Sequence, residues 1–458
     1  MTECNTTTRV LFQSKFRVDI EFNAADLTTD GGAVLLRQID DQLGLCKLVA
    51  DLVPDDRDPA KVVHTRHEQI RQRTFQIGLG YADANDATWL RTDPLLKVAC
   101  GADVRGAHLS SQPTLSRLEN APKAHHVEAM RLKLILDWVR GLDPERTEIV
   151  LDIDASAFEG HGAQEQLHFS GYHDAHILHP VFVFDDQDGQ LVTALLRPGR
   201  CGDAHGAAEM MRDLVVLLKT FHRPDCAILF RADAGYGTPT IYRELEHLDA
   251  AFGQVSYLLG IAKNSVLLRK LEPALAQSRR GRGRGTTRRV FDDYDYRAGS
   301  WKRDRHIAGK AEVGPLGDNP RFVVTNLTDF PARLLYERYC ERGRCEQHIE
   351  AIKCHLSADR ISCHRFEANG FRLVLATVAY RLMHALSKKT AELAREPVDC
   401  PEVARRLRWL AKASFETLRL RLLKVAMLVR KTARRLHLQG AASFPLAREY
   451  AYIARSLG

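Results

Sequence analysis

The sequence lacks any apolar run that approaches about 18 residues, the minimum for a helix that crosses a membrane. Its first residues, MTECNTTTRVLFQSKF, also lack the apolar core and the small-residue cleavage site of a secretion signal. Both absences exclude common routes out of the cell. We therefore expect a cytoplasmic protein with no membrane partner.

Cysteine pairs of the C-x-x-C type are absent as well. The ten cysteines are scattered, and no C-x-x-C pair occurs. Cys340, Cys345, Cys354 and Cys363 do cluster along the chain, which leaves a structural zinc site as an alternative for that segment. In a long chain without a secretion signal, we expect these thiols to be reduced.

Charged and apolar residues are both plentiful. The chain has 458 residues, of which 45% are hydrophobic and 27% charged, so it can form sizeable cores and is too long for one of them. We expect two to four domains. The net charge of +8 favours a polyanionic partner such as nucleic acid, although a modest positive charge can also serve solubility alone.

The period of the apolar pattern changes along the chain. Residues 30–140 have helical period, and from residue 147 short β-branched runs alternate with a helix. Residues 252–330 are rich in predicted strands, and helices resume at about residue 331. The pattern predicts an α/β protein whose sheet includes some antiparallel strands.

Three regions carry carboxylates at positions where a carboxylate is costly. Asp152 and Asp154 alternate with apolar residues in LDIDAS, so both project from one side of a predicted buried strand. Asp233 ends the apolar run AILFRAD, and Glu346 lies in a predicted helix. Such acids require a partner because desolvation of a bare carboxylate is unfavourable. Mg²⁺ prefers these oxygen ligands, although helix caps or arginine pairs would also explain each acid alone.

One predicted helix has a polar face of unusual composition. In YCERGRCEQHIEAIK, the residues Tyr339, Arg342, Glu346 and Lys353 fall at offsets 0, 3, 7 and 14. At about 100° per residue, all four side chains point into a sector of about 60°. A face with an aromatic hydroxyl, two cations and a carboxylate is more typical of a phosphate or metal site than of a core.

Together these motifs resemble the DDE transposases with an RNase H-like fold. The spacing Y-x2-R-x3-E-x6-K resembles the YREK signature of bacterial cut-and-paste insertion-sequence transposases. Further segments resemble the insertion sequence 1380 family, and the similarity spans about residues 12–385. These segments are HGAQEQLHFSGY, ALLRPGR, YRAGSW, RFVVTNLTD and ADRISCHRF.

The resemblance implies an RNase H-like catalytic core in which Asp154, Asp233 and Glu346 are catalytic and bind two Mg²⁺ ions. Mn²⁺ is expected to substitute for Mg²⁺. Asp154 is preferred over Asp152 because the resemblance implies a small polar residue soon after the first aspartate, here Ser156, but Asp152 stays an alternative.

The resemblance also implies a set of DNA contacts. Tyr339, Arg342 and Lys353 would hold phosphates near the cleavage site. Independently of the resemblance, Trp301 is a candidate for stacking on an unpaired base, with a core position as its alternative. Outside the region of resemblance, the stretch from residue 405 to 436 carries eleven Lys or Arg and one acid, and this charge alone indicates a helix along the DNA backbone, with an ordinary solvated face as the alternative.

The expected domain order has five parts. A helical DNA-binding region at 1–145 precedes the first part of the catalytic core at 146–251 and a β-rich insertion at 252–330. The second part of the core, with the YREK helix, covers 331–390, and a basic helical region covers 391–458.

The function implied is that of a DNA transposase in the bacterial cytoplasm, associated with the nucleoid. It would bind terminal inverted repeats, cleave double-stranded DNA with Mg²⁺ and join the freed end to target DNA, as a homodimer on the DNA. A metal-dependent nuclease without strand transfer and a catalytically silent DNA-binding regulator are the alternatives.

Overall fold

A computed structural model describes residues 26–283 and 285–458, together with the backbone of residues 8–10 and 18–20. The chain divides into two compact units. The first unit contains Asp56–Leu118, Leu382–Gly458 and the described part of Met1–Lys47. The second contains Leu48–Asp55 and Glu119–Arg381.

The helices and strands are numbered in chain order. The helices are α1 Ala33–Leu43, α2 Leu45–Ala50, α3 Arg66–Gly78, α4 Ala87–Leu90, α5 Pro94–Ala99, α6 Gln112–Glu119, α7 Ala124–Arg140, α8 Ala207–Phe221, α9 Pro239–Phe252, α10 Ser265–Arg280, α11 Ala332–Cys340, α12 Arg344–Glu350, α13 Phe366–Leu393, α14 Pro401–Leu410, α15 Phe415–Leu418 and α16 Ala447–Leu457. The strands are β1 Thr8–Val10, β2 Val18–Ile20, β3 Leu27–Thr28, β4 Glu148–Ala155, β5 Phe158–Glu159, β6 His168–Ser170, β7 Ala175–Leu178, β8 Val181–Asp185, β9 Leu191–Leu195, β10 Ala227–Ala232, β11 Val255–Ile261, β12 Arg288–Tyr296, β13 Arg305–Gly314, β14 Gly317–Thr325, β15 Met427–Lys431 and β16 Leu436–Gly440.

An eight-stranded mixed sheet forms the centre of the second unit, in the order β12-β13-β14-β11-β10-β4-β8-β9. Strand β10 runs parallel to both β4 and β11, and the other neighbours are antiparallel. The sequences AILFRA and VSYLLGI are apolar almost throughout, as expected for parallel strands buried on both faces. The predicted α/β class with some antiparallel strands is confirmed.

The sheet has a separate core on each face. Ile228 and Phe230 of β10 belong to the larger core, to which α8 and α9 contribute. Leu229 belongs to a smaller core together with Leu335 of α11. Because successive side chains of a strand alternate between faces, Arg231 lies on the same face as Leu229. This face also receives the acidic side chains of β4.

The predicted β-rich insertion is part of the same sheet. Residues 252–330 supply β11–β14, and they also form α10, which the apolar pattern did not indicate. The side chain of Asn264 caps α10 by accepting hydrogen bonds from the N–H groups of Val266 and Leu267. The segment therefore extends the central sheet and covers it with a helix.

The first unit is built around α3. A capping box starts this helix, since Thr65 and Glu68 satisfy each other's backbone N–H groups. From Gln69 to Gly78, every residue of α3 is buried, although most of them are polar. The strands β16, β15 and β3 form a small sheet in the same unit. The helical period predicted for residues 30–140 agrees with α1–α7.

The C-terminal region is not helical throughout, contrary to the prediction for residues 391–458. The hairpin β15–β16 interrupts the helices, and β15 also pairs with β3. Met427 and Val429 are buried while Arg430 and Lys431 are exposed, so the core contacts have the period of a strand. The many basic residues obscured this short alternation. No helix among the described residues is long and apolar enough to cross a membrane.

Candidate active site

The carboxyl ends of two parallel strands place two of the predicted acids next to each other. Strands β4 and β10 pair with Asp152 opposite Arg231, and the last pair is Ile153 opposite Ala232. Asp154 follows in β4, and Asp233 comes directly after β10. Ligand sites of open α/β sheets form at this edge. The two acids interact, because the charge of Asp233 helps to raise the pKa of Asp154.

Asp154 is a mostly buried carboxylate, with 19% of its side chain exposed. Its Oδ1 accepts a hydrogen bond from the N–H of Ala155 at 2.9 Å, and its Oδ2 accepts one from Nη1 of Arg342 at 3.0 Å. Burial raises the pKa of Asp154 to about 6, although the Arg342 charge opposes the shift. A carboxylate in this environment is stabilised by a further cation.

Asp233 begins the turn that follows β10. Its Oδ1 accepts a hydrogen bond from the N–H of Gly235 at 2.9 Å, which fixes the carboxylate at the strand end. Burial is the main cause of a raised pKa of Asp233, and the nearby charge of Asp203 raises it further. Two desolvated acids thus meet at one edge of the sheet.

Asp152 is a partner of a buried arginine. Both of its oxygens accept hydrogen bonds from Arg231, at 2.7 and 2.8 Å, and the Arg231 side chain is fully buried. Arg231 also pairs with Asp186 at 2.7 Å and with Glu341 at 3.0 Å. Asp152 therefore joins β4, β10 and the segment after α11 through one guanidinium.

The predicted continuous helix around residues 339–353 is broken into four pieces, so the straight-helix geometry was wrong. Helix α11 ends at Cys340, a 3₁₀ turn covers Glu341–Gly343, α12 follows, and a π-helical turn covers Ala351–His355. In 3₁₀ and π-helical turns, the rotation per residue differs from the roughly 100° of an α-helix, so the four side chains do not share one face. Glycine at 343 lowers the helical propensity where the 3₁₀ turn forms.

Tyr339 and Arg342 are the members of the predicted face that reach the acids. Arg342 donates to Asp154, and its guanidinium lies 6.0 Å from the ring centre of Tyr339. Burial raises the pKa of Tyr339, and the charge of Asp233 adds to the shift. Gly260 of β11 makes room for this ring, because a Cβ there would be 2.9 Å from the Tyr339 hydroxyl.

Glu346 and Lys353 take different positions. Glu346 is exposed on α12, and Lys353 donates from Nζ to the backbone oxygen of Ala157 at 2.9 Å. Lys353 therefore fixes the chain just beyond β4. In residues 26–283 and 285–458, no three His, Cys, Asp or Glu side chains form a group that could hold a metal ion. The three predicted metal ligands are thus not assembled as a set, and the cysteine cluster forms no zinc site within these residues.

Trp301 lies in the larger core of the second unit and is 7% exposed. Its ring meets those of Tyr242 and Tyr296 edge to face, with centres 5.3 and 5.4 Å apart. The guanidinium of Arg305 lies 4.9 Å from the centre of the Trp301 ring. This is the arrangement of a packing residue rather than of an exposed surface on which a base could stack.

One carboxylate at the site was missed from the sequence. Asp203 lies against the turn after Asp233, where a side chain at Gly235 would overlap its carboxylate. Nε2 of His179 lies 3.4 Å from Asp203 Oδ1, and the buried Arg197 donates to the Asp203 backbone oxygen at 2.6 Å. The sequence offered one indication of this residue, because Asp203 closely follows ALLRPGR, one of the segments that carry the resemblance to transposases.

A tyrosine close to this carboxylate was missed as well. Tyr236 is fully buried, and its hydroxyl lies beside the guanidinium of Arg197. Burial raises the pKa of Tyr236, and the charges of Asp154, Asp203 and Asp233 add to the shift. A buried tyrosine next to three acids is not indicated by any spacing along the chain.

The chain belongs to the family described as transposase DDE domain group 1, which matches residues 11–458. It is therefore a transposase of the DDE class.

Comparison with curated proteins finds no match. Among solved structures, the piggyBac transposase in a synaptic complex with hairpin DNA is similar to this chain, with a TM-score of 0.44 and 12% identity over 86% of this chain and 82% of that one. The insertion sequence 1380 family and the YREK signature stay predictions.

Proposed function

We propose that this transposase has an RNase H-like catalytic core and moves DNA by a cut-and-paste reaction. The observation that carries the proposal is the pair formed by Asp154 and Asp233 at the ends of adjacent parallel strands, with Arg342 beside it. The substrate is double-stranded DNA with terminal inverted repeats, which fits the positive net charge of +8.

Mg²⁺ fits the acids at this edge of the sheet. Asp154 and Asp233 offer hard oxygen donors, and burial raises the pKa of each, so a cation relieves an unfavourable charge. Glu346 is the third ligand in this proposal, and its side chain has to turn from its exposed position to join the two aspartates. When bound, two ions supply Lewis-acid chemistry for phosphoryl transfer.

The remaining side chains position the DNA strand. Arg342 balances the charge of Asp154, and a phosphate that enters the site offers its guanidinium a second partner. Tyr339 directs its hydroxyl toward the same edge of the sheet. Lys353 holds the chain at Ala157, so its role is to position the segment after the first acid. We expect two copies of the chain to act together on DNA.

A cleavage and joining assay tests this function. The terminal repeats are first identified by sequencing the DNA on both sides of the gene. We expect the wild-type protein to cleave at the repeats and to produce joined products with Mg²⁺ or Mn²⁺. Asp233→Asn and Glu346→Gln should abolish both steps and leave repeat binding near normal, because charge is lost while size is kept.

The outcomes separate the alternatives. Cleavage without any joined product would indicate a nuclease. Repeat binding without cleavage by the wild-type protein would indicate a DNA-binding regulator. Full cleavage by either variant would remove that residue from the catalytic set.

A further inference from the structure

A basic cavity of about 350 Å³ lies in the first unit. Its walls include four cations, a hydroxyl and an amide, and no residue that lines it is acidic. These residues are Arg57, Lys61, Arg66, Arg117, Thr114 and Gln69. A cavity with this lining suits an anion with several oxygen atoms.

Two helices begin at the cavity. Arg66 is the first residue of α3, and Thr114 lies in the first turn of α6. Helix N-termini carry partial positive charge, which adds to the charge of the side chains. The cavity therefore combines the dipoles of two helices with the charges of Lys and Arg side chains.

Gln69 shows the kind of ligand that the cavity fits. The residue is 1% exposed, and its Oε1 accepts a hydrogen bond from Nη1 of Arg66 at 3.0 Å. This bond fixes the orientation of the amide, because only the oxygen can accept from an arginine. The amide nitrogen, Nε2, has no hydrogen-bond partner among the described residues although it is buried. A buried donor in the wall of a basic cavity calls for an acceptor oxygen from a ligand.

Neighbouring acids do not neutralise Lys61 at the mouth of the cavity. Asp58 lies 3.5 Å from Lys61, but both side chains are largely exposed, so this ion pair contributes little. Glu68 uses its carboxylate in the capping box, where it accepts from the N–H and the hydroxyl of Thr65 at 2.7 and 3.0 Å. The charge of Lys61 is therefore available to a ligand.

We propose that this cavity binds a phosphate of the DNA backbone. The proposal rests on the proposed function in one respect, which is that DNA is the polyanion. The buried middle of α3 prevents that helix from entering a DNA groove as a whole, so its contact with DNA is made at its N-terminal end. Contacts of this kind position the duplex and do not read its sequence.

The test compares single alanine variants at the mouth of the cavity with a matched control. Lys61 and Arg117 are exposed, so Lys61→Ala and Arg117→Ala should fold normally. Arg105→Ala removes the same charge from an exposed residue of the same unit that does not line the cavity. Fluorescence anisotropy with a short duplex of mixed sequence gives affinity as a function of salt, and thermal melting verifies folding.

We expect each cavity variant to bind the duplex about three- to tenfold more weakly at moderate salt, and the slope of log K against log salt to fall by about 1. Arg105→Ala should change both values much less. A photo-crosslinking residue placed at Val63, which lines the cavity and is 72% exposed, should capture the duplex.

Affinities and slopes equal to those of Arg105→Ala, with no crosslink, would overturn the proposal. So would a thermal shift with inorganic phosphate alone when duplex binding is unchanged in the variants, because the cavity would then bind a free anion. The outcome is independent of cleavage. A protein that binds DNA through this cavity but does not cut it would retain this inference and lose the proposed function.

Discussion

At the scale of single residues, two aspartates on one strand have different partners. Both carboxylate oxygens of Asp152 accept hydrogen bonds from the buried guanidinium of Arg231, whereas Asp154 accepts one from Arg342. This pairing favours Asp154 over Asp152 as the candidate metal ligand. Asp152 and Asp154 project from the same side of one strand, so the alternation of the strand does not distinguish them. Their hydrogen-bond partners do, and they make Asp154 the candidate catalytic acid.

We expect Asp152→Asn to lower the free energy of unfolding by about 3 kcal/mol, because it removes a charged partner from the buried Arg231. Asp154→Asn should not destabilise the fold, because it removes a carboxylate whose burial opposes ionisation, and it should abolish cleavage. Urea denaturation and a cleavage assay measure the two effects. The double variant Asp152→Asn with Arg231→Met serves as the control and should recover part of the lost stability. Loss of cleavage in a stable Asp152→Asn protein would instead make Asp152 the metal ligand.

The raised pKa of Asp154, about 6, predicts a pH-dependent response to metal. Its folded-state pKa lies above the ordinary value, so its unfavourable contribution to folding is present above about pH 6 and is relieved as the pH falls. A divalent cation binds the ionised form and competes with the proton. We expect Mn²⁺ to raise the melting temperature more at about pH 8 than at about pH 5.

Differential scanning fluorimetry with and without Mn²⁺ measures this response. The Asp154→Asn variant is the control. In this variant, the rise in melting temperature caused by Mn²⁺ should depend much less on pH. Equal shifts at both pH values in the wild-type protein would contradict a metal site at Asp154.

At the scale of elements, the break after α11 decides which side chains meet the acids. The 3₁₀ turn keeps Arg342 near Asp154, while α12 leaves Glu346 exposed and the π-helical turn brings Lys353 to the backbone of Ala157. A straight helix would keep all four predicted residues on one face. The break therefore gives each of these residues a separate environment.

This difference predicts unequal effects on DNA cleavage. Arg342→Ala should reduce the cleavage rate far more than repeat affinity, because phosphate contacts position the strand at the acids. Arg344→Ala is a matched control, since Arg344 is 55% exposed and pairs with Asp186 at 2.8 Å. Cleavage rates, affinities and melting temperatures of both variants are compared. Wild-type cleavage by a folded Arg342→Ala protein would rule out a role for this side chain at the site.

At the scale of the whole molecule, the sequence could predict what depends on local pattern. Asp154 and Asp233 could be predicted because each ends a β-branched or apolar run, and such runs become neighbouring buried strands. The burial of Trp301 and the approach of Asp203 to Gly235 depend on packing between distant segments. No spacing along the chain encodes those contacts. The hairpin β15–β16 was hidden for a similar reason, since its pairing with β3 joins opposite ends of the chain.

The meeting of these two ends gives the last prediction. The N–H of Gly31 donates to the oxygen of Val425 at 2.8 Å, and that of Gly32 donates to the oxygen of Leu423 at 3.0 Å. A methyl group at Gly32 would overlap the backbone of residues 422 and 423, which cannot move aside as a flexible side chain can.

We therefore expect Gly32→Ala to lower the free energy of unfolding by about 1–3 kcal/mol, the usual effect of overpacking a close contact. Gly299→Ala is the control, because a Cβ at Gly299 meets no atom within 4 Å. Denaturant unfolding measures both variants, and proteolysis shows where each chain opens first. In Gly32→Ala, new cleavage should appear around β3 and β15, since these strands lose their alignment together. A Gly32→Ala protein as stable as the control would show that the two ends of the chain are not held in this contact.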